Sequence, residues 1–183
     1  MPEVADFWEG VVKLNTWHQH RISKLVVKKL FGTLSGKRVA ILGFAFKANT
    51  NDTRESSAIN IAKDLLDEGA QLSIHDPKVD PHQIASDLGL PETNLSKDNK
   101  RRGKTDEGIW WFSEEIIEAC SDADAVLILT EWHQYSEIDW VLIARQMRNP
   151  AWVFDARSIV NSEKVLLAGL QFWRVGDGSE LDM

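Results

Sequence analysis

The chain has 183 residues, 43 % of them hydrophobic, which suits one globular domain, and no apolar run approaches the roughly 18 residues that a spanning helix needs. Its net charge of −7 argues against nucleic acid or an anionic membrane surface as a bulk partner. The single cysteine excludes an internal disulfide framework and, with no secretory leader, predicts a cytoplasmic protein.

The first thirty residues predict one long amphipathic helix. Pro2 suits its first turn, apolar side chains recur at steps of three and four residues, and Gly32 is a fitting stop. This stripe is longer than one small sheet could cover. We therefore expect Phe7, Trp8 and Val11 to need a partner, with packing across the same domain as the alternative.

Beyond this helix, short apolar runs alternate with helical patterns, which predicts a mainly parallel sheet. The predicted strands are 39–42, 72–75, 109–112, 125–129, 152–154 and 171–174, and the predicted helices are 57–68, 113–120, 140–147 and 162–168. We expect a Rossmann-like three-layer α/β fold with strand order 3-2-1-4-5-6 and a switch point between the first and fourth strands. The polar stretch 91–107 predicts an exposed insertion.

The loop after the first strand is the most informative segment. It reads G-F-A-F-K-A-N-T-N-D-T-R-E-S-S over 43–57 and carries two cations, Lys47 and Arg54, before a helix start at Ser56 or Ser57. Because this loop lies at the carboxyl edge of the sheet, where such folds bind ligands, the pattern favours a phosphate-type ligand.

The same loop lacks the glycine-rich dinucleotide fingerprint G-x-G-x-x-G, since Gly43 stands alone. Side chains would then have to meet the phosphate, Lys47 as a point charge and Arg54 as a fork. The alternative is that both are solvated loop charges, with Arg54 paired to Asp52 or Glu55.

Two further features fall on the same edge. Arg157 follows the fifth strand and brings another cation toward the crevice, unless it pairs with Asp155 or caps a helix. The triplet T-E-W at 130–132 ends the fourth strand beside the switch point. Asp76, at the end of the second strand, is interpreted mainly as a turn residue.

The whole pattern resembles the nucleotide-sugar dehydrogenases. Beyond the loop at 43–57, the similarity rests on E-G-A at 68–70, H-D-P-K-V at 75–79, E-A-C at 118–120, T-E-W at 130–132 and F-D-A-R at 154–157. This resemblance implies that 1–32 is part of a central helix that builds a homo-oligomer and that 33–183 binds a UDP-sugar. It also implies that Phe46, Lys47 and Arg157 contact the sugar nucleotide, while Arg54 reaches NAD on another domain.

The resemblance further implies oxidation of UDP-glucose to UDP-glucuronate with two NAD, through a covalent intermediate on a cysteine. Cys120 is not expected to be that nucleophile, because no base or cation pattern surrounds it. The NAD-binding domain and catalytic cysteine would belong to an N-terminal half of the enzyme, so this chain alone is expected to be inactive.

Two alternatives remain open at this point. Besides the function that the resemblance implies, the chain could be a non-catalytic Rossmann-like oligomerisation module or the same domain of a dehydrogenase for another nucleotide sugar. Ala156 occupies a position where eukaryotic-type relatives usually have glycine. If that position needs a positive φ, alanine would strain the loop beside Arg157. The five histidines are scattered over separate elements or helix faces and predict no metal site.

Overall fold

The computed structural model describes residues 2–94 and 108–176, which form a six-stranded parallel sheet covered by helices. The strands are β1 (Arg38–Leu42), β2 (Gln71–His75), β3 (Ile109–Phe112), β4 (Ala125–Ile128), β5 (Trp152–Asp155) and β6 (Gln171–Arg174). The helices are α1 (Pro2–Lys29), α2 (Ser57–Asp67), α3 (Pro81–Leu88), α4 (Ile116–Cys120), α5 (His133–Ser136), α6 (Trp140–Ala144) and α7 (Ser162–Leu167).

The strand order is β3-β2-β1-β4-β5-β6, which confirms the predicted Rossmann-like topology. Strand β1 pairs with β2 on one side and with β4 on the other, so that Val39 lies beside both Leu72 and Ala125. All strands are parallel, but successive strands are added on one side of β1 up to β3 and on its other side from β4 onward. The crevice outside the carboxyl ends of β1 and β4 is therefore the expected ligand position in this architecture.

The strands lie where they were predicted, with ends that differ by one residue at most. Their apolar runs are continuous because both faces of the sheet are covered, and every residue of β1 and β4 is buried. Such runs are a strong signal for a parallel strand. Of the long predicted helices, 113–120 begins three residues late at Ile116, and 140–147 ends early at Ala144.

Two helices were not predicted. Helix α3 has sequence signals that the prediction left unused, since Asp80 caps its first turn, Pro81 opens it and Gly89 ends it in a left-handed conformation. Helix α5 is a single turn, too short for periodicity to show. This short helix later proves important, because it carries side chains back to the end of β2.

Helix α1 is continuous from Pro2 to Lys29, as predicted, and Gly32 follows it with φ 79°. Its carboxyl-terminal turns enter the core through Val26, and Leu30 just beyond the helix is also fully buried. Further toward its beginning, Phe7 is 65 % exposed and Trp8 61 % exposed. The two ends of the helix therefore have different surroundings.

Polar contacts attach α1 to α2. The Asp64 carboxylate Oδ2 lies 2.7 Å from His20 Nδ1 and accepts a hydrogen bond of 2.5 Å from Ser23 Oγ. These contacts lie beside a cleft of about 340 Å³ between the two helices. They hold the second half of α1 against the sheet domain.

Within the described ranges, no helix is long and apolar enough to cross a membrane. Residues 91–94 of the predicted insertion lie along β3, where the Thr93 backbone N–H donates to the Trp110 carbonyl at 2.8 Å. Residues 95–107 lie outside the described ranges. The predicted division into 1–32 and 33–183 stays a prediction.

Candidate functional site

The candidate site is built on the loop that follows β1 at the switch point. Gly43 opens this loop with φ 96°, and its N–H donates to the His75 carbonyl at 2.8 Å. A Cβ added there would lie 2.6 Å from Thr130 Oγ1 and 2.8 Å from the Thr130 backbone N, and closer still to the Thr130 Cβ. The glycine is needed because two loops from neighbouring strands meet at this point.

Asp76 holds the next two residues of the loop. Its Oδ2 accepts hydrogen bonds from the backbone N–H of Phe44 at 2.7 Å and of Ala45 at 3.0 Å. Its Oδ1 accepts from the N–H of Lys78 at 2.9 Å and of Val79 at 3.0 Å. The interpretation of Asp76 mainly as a turn residue therefore describes only one of its two oxygens.

The segment after β4 connects this loop to the end of β2. Thr130 Oγ1 donates to the Ala45 carbonyl at 2.7 Å, and Trp132 Nε1 donates to Asp76 Oδ2 at 3.2 Å. The Tyr135 hydroxyl lies 2.9 Å from Nδ1 of His75. Burial lowers the pKa of His75 and raises that of Tyr135, so both side chains are neutral at pH 7. A buried polar network thus fixes the base of the site.

Phe46 and Lys47 form the exposed tip of the loop. The Phe46 N–H donates to the Asp52 carbonyl at 2.8 Å and closes the tip, while the Phe46 ring is 48 % exposed. Lys47 is exposed, and its charge contributes to the low pKa of the Asp52 carboxyl group. Among the described residues, no carboxylate forms an ion pair with Lys47, so its ammonium group is open to a ligand.

Arg54 is paired with Asp52, which is one of the alternatives that the sequence left open. Its Nε donates to Asp52 Oδ1 at 2.9 Å and its Nη2 to Oδ2 at 2.7 Å. Hydrogen bonding to Arg54 lowers the pKa of Asp52 to about 2. The Arg54 side chain is 88 % exposed, so solvent weakens its ion pair with Asp52 and the guanidinium remains accessible.

Arg157 joins the loop after β5 to the loop after β1. Its Nη2 donates to the Phe46 carbonyl at 3.1 Å, and its Nε donates to Glu131 Oε2 at 2.7 Å. The expected alternative partner, Asp155, instead accepts from the Arg157 backbone N–H at 3.0 Å. The Arg157 side chain is thus directed at the candidate site rather than at its own strand.

Glu131 is a residue of the candidate site to which the sequence analysis gave no role. Burial alone would raise its pKa, but backbone N–H groups, including that of Ala48, and the Arg157 charge outweigh burial and lower it. Its position in the T-E-W triplet was the available signal. The triplet could not identify Arg157 as the partner of Glu131, because the two residues are 26 positions apart along the chain.

The loop before Arg157 is not strained at Ala156. The left-handed residue nearby is Ser158, which follows Arg157 and has φ 56°, and Ala156 is not among the positive-φ residues of the described chain. The condition under which alanine would be strained, a positive φ at Ala156, is therefore not met. Helix α2 begins beyond the other side of the site, with Ser56 as its N-cap, accepting from Ala58 N–H.

Cys120 lies in the core at the end of α4. Its side chain is fully buried, and burial raises the pKa of its thiol to about 12. A thiol that stays protonated at neutral pH is a poor nucleophile. Its predicted structural role is consistent with this environment. Among residues 2–94 and 108–176, no group of three or more His, Cys, Asp or Glu side chains could hold a metal ion.

The family model described as "UDP-glucose/GDP-mannose dehydrogenase family, UDP binding domain" matches residues 40–162, which include Lys47, Arg54, Glu131 and Arg157. The chain belongs to this family. The predicted resemblance to the carboxyl-terminal UDP-binding domain of nucleotide-sugar dehydrogenases is thereby confirmed.

Among curated relatives, the chain is 38 % identical to UDP-glucose 6-dehydrogenase of Drosophila melanogaster and 40 % identical to that of Gallus gallus. Each alignment covers 96 % of this chain but only 36 % and 35 % of the respective relative. The chain therefore spans about a third of the length of the curated relatives it matches.

Solved structures agree with this assignment. A UDP-glucose dehydrogenase from Pyrobaculum islandicum superposes with a TM-score of 0.63 at 26 % identity, covering 89 % of this chain and 31 % of that one. The NDP-N-acetyl-D-galactosaminuronic acid dehydrogenase from Methanosarcina mazei gives a TM-score of 0.64 at 19 % identity, over 87 % of this chain and 28 % of that one. The second likeness supports the fold alone.

Proposed function

We propose that this chain is the UDP-sugar-binding part of an NAD-dependent UDP-glucose 6-dehydrogenase. The contact of Arg157 with the Phe46 carbonyl carries this proposal, because it places a guanidinium from the β5 loop beside Lys47 of the β1 loop. A diphosphate needs such converging cations where no glycine-rich loop offers backbone N–H groups. The matched relatives named UDP-glucose 6-dehydrogenase support UDP-glucose as the substrate.

We assign the substrate contacts to Phe46, Lys47 and Arg157. The Phe46 ring offers an exposed apolar face, Lys47 offers a cation that no carboxylate of the described residues pairs with, and Arg157 can bind an anion once its contact with Glu131 is exchanged. Arg54 is assigned to NAD held by another domain, since its exposed side chain extends outward from the same loop.

The described residues do not form a dinucleotide site of their own. The N–H groups of Phe44 and Ala45 are occupied by Asp76, and Thr130 fills the space beside Gly43. An NAD pyrophosphate therefore has no backbone pocket in this crevice. This supports the binding of NAD by an N-terminal half, and the buried, protonated Cys120 thiol supports a catalytic cysteine in that half as well, so we expect the chain alone not to oxidise UDP-glucose to UDP-glucuronate.

Helix α1 is proposed to join copies of the chain into a homo-oligomer. Besides Phe7 and Trp8, its Leu14 and Trp17 side chains are exposed, by 55 % and 52 % respectively. Four large apolar side chains on one helix that are each more than half exposed favour a protein partner. The predicted cytoplasmic location is retained as part of the proposal, since it agrees with one reduced, buried cysteine.

The alternative is a non-catalytic module kept for oligomerisation, which α1 favours and which predicts a dimer indifferent to nucleotides. A dehydrogenase domain for another nucleotide sugar would keep the same cations and differ at the sugar. Comparing the binding of UDP-glucose with that of UDP-N-acetylglucosamine and GDP-mannose separates these substrates.

The test is a calorimetric titration of UDP-glucose into wild-type chain and into Lys47→Ala. Two or three charge-assisted hydrogen bonds, offset by the cost of association, predict a binding free energy of about 4 to 6 kcal/mol, in the high-micromolar to millimolar range. Lys63→Ala, on an exposed lysine of α2, is the control for the loss of one positive charge. We expect Lys47→Ala to abolish binding and Lys63→Ala to retain it.

Equal loss in both lysine variants would contradict a specific site at Lys47. Binding by neither the variants nor the wild type, together with a stable dimer, would favour the oligomerisation module.

A further inference from the structure

The carboxylate of Asp76 fills a small pocket of N–H groups at the carboxyl end of β1. Its Oδ2 accepts from the N–H of Phe44 and Ala45 and from Trp132 Nε1, at 2.7, 3.0 and 3.2 Å. Successive backbone N–H groups directed at one anionic oxygen, just after the first strand, resemble the arrangement by which dinucleotide folds hold a phosphate. Here the anion belongs to the protein itself.

Asp76 is also held firmly from the opposite side. Its Oδ1 accepts from the N–H groups of Lys78 and Val79, and the residue is only 4 % exposed. A buried carboxylate is unfavourable unless hydrogen bonds replace its lost hydration. These contacts make Asp76 a rigid connection between the end of β2 and the loop after β1.

We propose that Asp76 is a positioning residue of the sugar-nucleotide site. Its carboxylate occupies the place that a phosphate would take among the N–H groups after β1. It fixes the backbone of Phe44 and Ala45, and Phe46 and Lys47 follow directly along the chain. The pocket is thereby closed to a ligand phosphate, and the diphosphate is left to the side chains of Lys47 and Arg157. The identity of this ligand rests on the proposed function.

Two variants separate the two oxygens of Asp76. Asp76→Ala removes both acceptors, so the N–H groups of Phe44 and Ala45 lose their partner. Asp76→Asn keeps the shape and one uncharged acceptor oxygen, which can serve only one side of the pocket. We expect the asparagine variant to fall between wild type and alanine, and it carries the test if the alanine variant does not fold.

The first measurement is amide hydrogen exchange of the chain by NMR spectroscopy, which needs no ligand. In Asp76→Ala we expect the Phe44 and Ala45 amides to exchange at least about tenfold faster, as the loss of hydrogen bonds to a charged group implies. The Gly43 amide, which donates to the His75 carbonyl, is the internal reference. Unchanged exchange at Phe44 and Ala45 relative to Gly43 would overturn the proposal.

The second measurement is a titration with UDP-glucose followed by amide chemical shifts. The matched control is Asp124→Ala, because Asp124 is also 4 % exposed and accepts the Arg38 N–H at 2.8 Å, but at the opposite edge of the sheet. We expect the dissociation constant to rise about tenfold for Asp76→Ala and to stay near the wild-type value for Asp124→Ala.

Equal weakening in both variants would mean that Asp76 acts only through general stability, and the proposal would be rejected. If the wild-type chain does not bind UDP-glucose at all, binding by the isolated domain is refuted. The exchange measurement then still decides whether Asp76 positions the loop, so the two failures are distinguishable.

Discussion

The guanidinium of Arg157 and the carboxylate of Glu131 form an ion pair of 2.6 Å between the loops after β5 and β4. The same guanidinium donates to the Phe46 carbonyl, so Glu131 holds Arg157 at the edge of the candidate site. Both side chains are about one-third exposed, at 33 % for Arg157 and 39 % for Glu131. A ligand anion must therefore compete with Glu131 for this cation.

Glu131→Gln is expected to strengthen binding of UDP-glucose. Glutamine keeps the shape and an acceptor for the Ala48 N–H but removes the competing charge. A partly exposed ion pair contributes about 1 kcal/mol or less, so the gain should be at most about fivefold, measured by calorimetry. Glu163→Gln on exposed α7 is the control for net charge. Weaker binding in Glu131→Gln alone would show that Glu131 orients Arg157 for the ligand.

Gly43→Ala is expected to destabilise the fold far more than Gly36→Ala. Both glycines have positive φ, 96° at Gly43 and 72° at Gly36. A Cβ added at Gly43 would overlap Thr130, whereas a Cβ added at Gly36 would have no atom within 4 Å. The left-handed conformation costs alanine about 1–2 kcal/mol, and overlap in a packed site adds about 1–3 kcal/mol. Urea unfolding of the two variants should separate these contributions; equal losses would show that the loop can shift away from Thr130.

Cys120 should not react with iodoacetamide in the folded chain. Burial keeps the thiol protonated, with a pKa of about 12, and blocks access to its sulfur. Mass spectrometry after a short pulse at pH 8 should find unmodified protein, whereas the same pulse in urea should label it fully. Rapid labelling without denaturant would contradict the packing of α4 against the sheet.

The free energy of unfolding should decrease as the pH falls below about 6.5, in part because of His75. Burial lowers the pKa of His75 in the folded chain, so the unfolded chain binds more protons between the two pKa values. This contribution is present above the unfolded pKa and is lost as the pH falls through the folded one. Urea unfolding at pH 5 and 7 should show a smaller pH effect in His75→Gln; an unchanged effect would place the titrating group elsewhere.

The loop after β1 contains charged residues and a contact that could be predicted from local sequence. Lys47 and Arg54 were predicted because permanent cations after a buried strand are a local pattern, and the possible partners of Arg54 were limited to its neighbours Asp52 and Glu55. The observed Arg54–Asp52 pair joins residues two positions apart. Short-range chemistry of this kind can be predicted because chain connectivity already brings the groups together.

Asp76 and Glu131 form contacts that local sequence could not predict. Local sequence indicated a turn at Asp76, which its Oδ1 does form, but its Oδ2 binds Phe44, which lies 32 positions earlier. Likewise the Arg157 side chain binds Glu131 instead of the nearby Asp155. The choice between such partners depends on which loops the sheet order brings together, and that order is a property of the whole chain.

The amino-acid sequence by itself determined the strands, the parallel sheet and the cations of the candidate site, because apolar periodicity and local charge act over a few residues. The tertiary structure alone decided that Asp76 fills the pocket after β1 and that Glu131 holds Arg157. These contacts arise only when β1, β2, β4 and β5 end at one edge, where their loops replace water as hydrogen-bonding partners for each other.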